Sequence, residues 1–106
     1  MPTRPRQSSE EQMLRWAARR ESVGARIREI RLAQDLSQEA LALESGLSRN
    51  MIIGIEWGRK SVAYERLWDI ADVLDVPMTE FLKDPEGLAE STPFRGGRRR
   101  MRGASS

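Results

Sequence analysis

Apolar residues recur every three or four positions between residues 22 and 83, which is the spacing of amphipathic helices. Val23, Ile27 and Ile30 follow this spacing and predict a first helix over residues 22–34. A second clear stripe predicts a helix over residues 63–74, and its inward side chains would be Tyr64, Leu67, Ala71 and Leu74. Each stripe occupies one face only, so these helices are expected to pack around a shared core.

Between these two segments the pattern predicts two shorter helices joined by a tight turn. Ser37 and Ser48 stand where a side-chain oxygen can cap the start of each helix. Gly46 provides the turn between them, because glycine adopts a left-handed backbone conformation at no steric cost. The buried positions of the pair would be Leu41, Ala42, Ile52 and Ile55.

The ends of the remaining helices can also be placed. Asp35 follows the first helix, and Asp tolerates the left-handed conformation that ends many helices. Pro77 suits the first turn of a short fifth helix ending near Lys83, with Phe81 and Leu82 turned inward. The predicted fold is therefore all-α, with five helices around one core.

The N-terminal segment carries a weaker signal. Residues 1–7 contain two prolines and no apolar period, which predicts a loose arm. Ser8 and Glu11 have the spacing of a capping box and predict an additional helix that runs to about Arg20. Trp16 on this helix could dock on the domain or on a partner, and docking on the domain is expected.

The C-terminal segment has no helical pattern. It is rich in Gly, Ser, Pro and Arg and includes a basic run over residues 98–102, so disorder is expected. Such a tail would add non-specific phosphate contacts to any nucleic acid binding. The predicted organisation is an arm with an additional helix over 1–21, the helical domain over 22–83 and the tail over 84–106.

Three segments together resemble the phage-repressor/Cro (Xre-type) helix-turn-helix family. They are the run from Leu36 to Ala42, the turn Gly46-Leu47-Ser48 and the closing Ile55-Glu56-Trp57-Gly58. The likeness extends over about residues 23–82. It implies a five-helix, lambda-repressor-like domain that acts as a sequence-specific DNA-binding transcriptional regulator. It further implies a repressor that binds double-stranded DNA as a homodimer.

In a helix-turn-helix the second helix enters the major groove, and its first residues meet the base edges. Here that helix spans 48–57 and begins with Ser48, Arg49 and Asn50. Arginine pairs bidentately with guanine, and asparagine with adenine. Ile53 stands further along the same helix and could touch thymine methyl groups. These residues are the expected base-contacting set.

Other polar residues are expected to contact phosphates or support the fold. The resemblance implies that Gln38 contacts a phosphate and braces the first base-contacting residue. Arg59 and Lys60 follow the second helix and are expected to clamp phosphates. A carboxylate such as Glu56 at a helix C-terminus opposes the helix dipole and needs a partner. The resemblance supplies Arg31, forming a structural ion pair.

Composition narrows the function classes. The 106-residue chain contains no cysteine and no histidine, which removes the usual zinc ligands and the commonest general base. We therefore expect no metal, no cofactor and no enzymatic activity. No apolar run is long enough for a membrane span, and no secretory signal is evident, so a cytoplasmic protein is expected.

Charge is informative through its distribution. The net charge is only +2, but residues 23–83 carry eight basic against ten acidic side chains, so the excess of arginine lies in the flanks.

An alternative to DNA binding follows from the apolar residues near the second helix. A surface around Ile53, Trp57 and Trp68 would suit a protein-interaction module of the same fold, such as an antitoxin or a co-regulator.

Overall fold

The computed structural model describes residues 6–85, with side chains from residue 9. Four α-helices and a final 3-10 helix follow one another, and no strand occurs in this part of the chain. Their bounds are α1 Arg6–Ala33, α2 Gln38–Ser45, α3 Arg49–Glu56, α4 Tyr64–Leu74 and the 3-10 helix Met78–Leu82. None of these helices is both long enough and apolar enough to cross a membrane.

Helix α1 is a single helix of 28 residues. The sequence pattern predicts two helices here, one beginning at Ser8 and the other at Ser22, and this division is wrong. The helix begins at Arg6, so both serines lie inside it. No proline or turn residue interrupts the chain between them, so the two predicted helices join into one. The loose arm expected over residues 1–7 is wrong for Arg6 and Gln7, which belong to the helix, and residues 1–5 lie outside the described residues.

The caps and the turn around α2 and α3 are confirmed. The Ser37 hydroxyl accepts a hydrogen bond from the Ala40 amide at 2.9 Å, and the Ser48 hydroxyl accepts one from the Met51 amide at 3.0 Å. Gly46 ends α2 with φ of 80°, and its amide donates to the Ala42 carbonyl at 3.0 Å. These local bonds fix the angle between α2 and α3.

Two aspartates adopt the left-handed conformation at helix ends. Asp35 follows α1 and Asp75 follows α4, each with φ of 57°. The Asp35 amide donates to the Leu32 carbonyl and the Asp75 amide to the Asp72 carbonyl, which closes the last turn of each helix.

The core consists of one apolar cluster with members from every helix. Its buried residues are Ile27, Leu41, Ala42, Ile52, Ile55, Leu67, Ile70, Ala71, Leu74 and Phe81. Two residues predicted to face inward do not. Tyr64 is exposed because it is the first residue of α4, one turn before Leu67, at the outer end of the stripe. Leu82 is exposed because neighbouring residues of a 3-10 helix point about 120° apart, and Phe81 takes the inward position.

Polar bonds attach the C-terminal elements to α1. Arg26 donates to the Glu80 carbonyl and to the Glu80 carboxylate, each at 2.9 Å. The Gln34 side-chain amide donates to the Leu74 carbonyl at 2.7 Å, and this bond joins α1 to the end of α4. Hydrogen bonds from Lys83 and then from Arg26 lower the pKa of Glu80 from its usual value. The 3-10 helix is therefore held by charge as well as by Phe81.

Residues 86–106, which include most of the predicted tail, lie outside the described residues.

Candidate nucleic-acid interface

The start of α3 presents polar side chains to solvent. Ser48, Arg49 and Asn50 are all exposed, whereas Ile52 and Ile55 on the opposite face are buried. Arg49 lies 3.9 Å from the Glu39 carboxylate, and both side chains are well exposed. A pair of this kind contributes little in water, about 0–1 kcal/mol, so Arg49 remains available to another partner.

A buried ion pair holds α3 against α1. The Arg31 Nε donates to Glu56 Oε2 at 2.6 Å, and another Arg31 nitrogen donates to Oε1 at 3.0 Å. The two side chains are 7% and 0% exposed. Arg31 also donates to the Leu36 carbonyl at 2.8 Å, at the entry to α2. The guanidinium thus links α1, the loop before α2 and the end of α3.

Gln38, the first residue of α2, belongs to the same network. Its side-chain amide donates to Glu56 Oε1 at 3.1 Å. The resemblance also implies that Gln38 braces the first base-contacting residue, and this role stays a prediction. In the structure the Gln38 amide nitrogen is bonded to Glu56 at the other end of α3.

Arg28 and Trp57 form a contact that the sequence analysis did not predict. The Arg28 guanidinium carbon lies 5.6 Å from the centre of the Trp57 ring, within the range of a cation–π interaction. A signal existed in the sequence: Arg28 lies one turn before Arg31, and Trp57 directly follows Glu56. When Arg31 pairs with Glu56, their neighbours Arg28 and Trp57 are brought close to each other as well.

These elements enclose a polar groove beside α3. Its lining residues are Arg28, Arg31, Ser37, Gln38, Glu39, Arg49 and Trp57. Arg28 and Arg49 face Glu39, whereas the charge of Arg31 is balanced by Glu56. The N-terminus of α2 adds its backbone amides. An anionic backbone such as phosphodiester fits this surface by charge.

The other predicted residues lie around the second half of α3. Ile53 is half-buried, and Arg59 and Lys60 are exposed in the loop after the helix. The aliphatic part of Lys60 covers Gly54, since a Cβ built there would lie 2.7 Å from the Lys60 Cγ. Lys60 therefore lies away from the groove that Gln38 and Arg49 line. Trp68 is half-exposed on α4 and does not line that groove either.

Close packing of α1 and α3 depends on Gly24, which the sequence analysis passed over. A Cβ at this position would collide with the carbonyl oxygens of Ile55 and Glu56. The two helices can approach only because residue 24 has no side chain.

No group of three or more carboxylate, histidine or cysteine side chains suited to a metal ion occurs among the described residues.

Comparison with known proteins places these features in a family. A helix-turn-helix family profile matches residues 27–81. Over 64 residues the chain is 44% identical to an uncharacterized transcriptional regulator in the ATPase CF(0) region of Rhodospirillum rubrum, which covers 60% of this chain and 59% of that protein. Over 62 residues it is 32% identical to the cryptic phage CTXphi transcriptional repressor RstR of Vibrio cholerae, covering 58% and 56%. The chain thus spans less than two thirds of the length of these relatives.

Solved structures agree with the profile. The restriction-modification controller protein C.AhdI from Aeromonas hydrophila superposes with a TM-score of 0.60 and 38% identity. The match covers 61% of this chain and 94% of that protein. The clp gene regulator ClgR from Corynebacterium glutamicum superposes with a TM-score of 0.59 and 30% identity, covering 60% and 82%.

Proposed function

The chain belongs to the helix-turn-helix family, and from this premise we propose that it is a sequence-specific DNA-binding transcriptional regulator that acts as a repressor. The observation that carries the proposal is the polar start of α3. Ser48, Arg49 and Asn50 are exposed together at a capped helix N-terminus, beside a groove whose exposed cations are Arg28 and Arg49. The resemblance to regulators and to one repressor supports the same function.

In this proposal α3 lies in the major groove of double-stranded DNA. Arg49 pairs with a guanine and Asn50 with an adenine, while Ser48 contributes a hydroxyl and Ile53 an apolar contact to a thymine methyl group. Because these side chains differ in what they accept and donate, they give the protein its sequence preference.

Phosphate contacts supply affinity and register. Gln38, at the start of α2, and Arg59 and Lys60, after α3, flank the base-contacting residues on two sides. Such contacts rest on the charge of Arg59 and Lys60 and on a hydrogen bond from Gln38, not on base identity, so they would strengthen binding to all sequences alike.

We further propose that the protein is a cytoplasmic homodimer without enzymatic activity. Helix-turn-helix dimers bind two half-sites about one DNA turn apart, so the preferred site would be a palindrome with that spacing. Exposed apolar side chains on the first half of α1, Met13 and Leu14, are available for contact with a second copy.

The test is a competition gel shift with DNA from the region upstream of the protein's own gene. Arg49→Ala or Asn50→Ala should cost about 1–3 kcal/mol of specific binding and relax the preference at one base position. Binding to random DNA should change little, since neither residue is assigned to a phosphate.

The matched control is Arg15→Ala, which removes an equally charged and exposed side chain from the first half of α1. Equal losses on specific and random DNA would contradict the assigned base contacts. A protein that shifts no DNA, whatever its sequence, would instead favour the alternative function, a protein-interaction module acting through Ile53, Trp57 and Trp68.

A further inference from the structure

A second concave site lies on the side of the domain where α1, the end of α3 and the start of α4 meet. It is a pocket of about 320 Å³. Its lining residues are Trp16, Arg19, Arg20, Val23, Ile55, Lys60, Ser61, Val62 and Leu67. Small-molecule sites in proteins begin at about this volume.

The inner surface of the pocket is apolar. Ile55 and Leu67 are core residues, 2% and 8% exposed, and Val23 and Val62 pack against the same cluster. The Trp16 ring also lines the pocket, yet it remains 48% exposed. Trp16 therefore offers a large aromatic surface that the described part of the chain leaves uncovered.

The charged residues that line the pocket are all cations, namely Arg19, Arg20 and Lys60. Arg19 and Lys60 are exposed, and Arg20 donates to the Gly58 carbonyl at 3.3 Å. No carboxylate lines the pocket. Among the described residues, neither Arg19 nor Lys60 forms an ion pair. Uncompensated positive charge beside an apolar surface favours a ligand that is anionic at one end and apolar at the other.

We propose that this pocket binds a small organic anion with an aromatic or aliphatic body. The apolar part lies against Trp16 and the core side chains, and the anionic group is held by Arg19 and Lys60. This site is separate from the α3 side chains assigned to base contacts, and it shares Lys60 with the proposed phosphate contacts.

The experiment uses the full chain and two fluorescent probes with the same aromatic body. One is 8-anilinonaphthalene-1-sulfonate, which is anionic, and the other is N-phenyl-1-naphthylamine, which is uncharged. The sulfonate is expected to bind saturably with one probe per chain. Because the titration contains no DNA, its result is independent of the proposed function.

Two variants separate the two parts of the site. Trp16→Ala removes the aromatic wall and should raise the dissociation constant of both probes by about tenfold. Arg19→Gln removes one cation and should weaken the sulfonate by about tenfold while leaving the uncharged probe unchanged. Both side chains are exposed, so neither change should affect folding.

The matched controls are Trp68→Ala and Arg66→Gln, which remove a half-exposed tryptophan and a 40% exposed arginine outside this pocket. They should leave the binding of both probes unchanged. The proposal is overturned if the control variants weaken the probes as much as the pocket variants do. It is also overturned if sulfonate binding disappears as protein concentration rises, since a second copy would then cover the pocket.

Discussion

Replacing Arg31 by alanine should destabilise the domain more than any change at its surface. The change leaves the Glu56 carboxylate, which is 0% exposed, with the Gln38 amide as its remaining side-chain donor. It also removes a bond to the Leu36 carbonyl. Breaking a buried pair by removing one partner costs about 3–5 kcal/mol. Small domains have only about 5–15 kcal/mol of total stability, so the loss is a large share.

The measurement is urea unfolding followed by far-ultraviolet circular dichroism, without DNA. Arg31→Ala, Glu56→Ala and the double variant complete a double-mutant cycle. Once the first partner is lost, removing the second also removes the unpaired buried charge. The double variant should therefore lose less than the sum of the single losses, by a coupling energy of about 1–3 kcal/mol.

The control is Asp69→Ala, which removes an ion pair to Arg66 at 3.2 Å whose side chains are 40% and 43% exposed. Its cost should be about 0–1 kcal/mol. If a single variant at Arg31 fails to fold, Arg31→Met combined with Glu56→Met should still fold, because an apolar pair leaves no charge buried. Additive losses in the cycle would refute the argument that the pair acts as a unit.

Two further predictions follow from contacts of α1. Gly24→Ala should destabilise the domain by about 1–3 kcal/mol in urea unfolding, because its Cβ would collide with the end of α3. The higher helix propensity of alanine is not expected to offset this collision, and a stabilised variant would contradict the close approach of the two helices. The lowered pKa of Glu80 means that its carboxylate contributes stability above its unfolded pKa of about 4.3, and that this contribution is lost as pH falls through the lower folded value. Glu80→Gln should therefore reduce stability at pH 7 and flatten the loss of stability in acid; unfolding midpoints that fall with pH in parallel for the two proteins would argue against it.

Local signals in the sequence were sufficient for the centre of the fold. Ser37, Gly46 and Ser48 act through bonds to residues three or four positions away, so their roles follow from spacing alone. The core faces of α2 and α3 follow from helical periodicity in the same way. The position of the base-contacting candidates on the exposed side of α3 is a direct consequence.

Several features of the structure depend on distant parts of the chain and do not follow from local spacing. Gly24 looks like a weak point in a helix until the carbonyl groups of α3 are placed beside it. The direction of the Gln38 amide depends on Glu56, which lies 18 residues away. Tyr64 continues the apolar stripe of α4, but whether another helix reaches that far cannot be derived from periodicity.

The continuity of α1 has a geometric consequence. At about 1.5 Å per residue, its 28 residues extend about 42 Å without a joint. Its second half is fixed to α3 through Gly24 and Arg31, so its first half has a set direction relative to α3. Any molecule attached along that half is therefore presented at a defined angle to the helix-turn-helix. One residue inserted near the middle of the exposed half would turn everything before it by about 100°, whereas the helix-turn-helix itself would be unchanged.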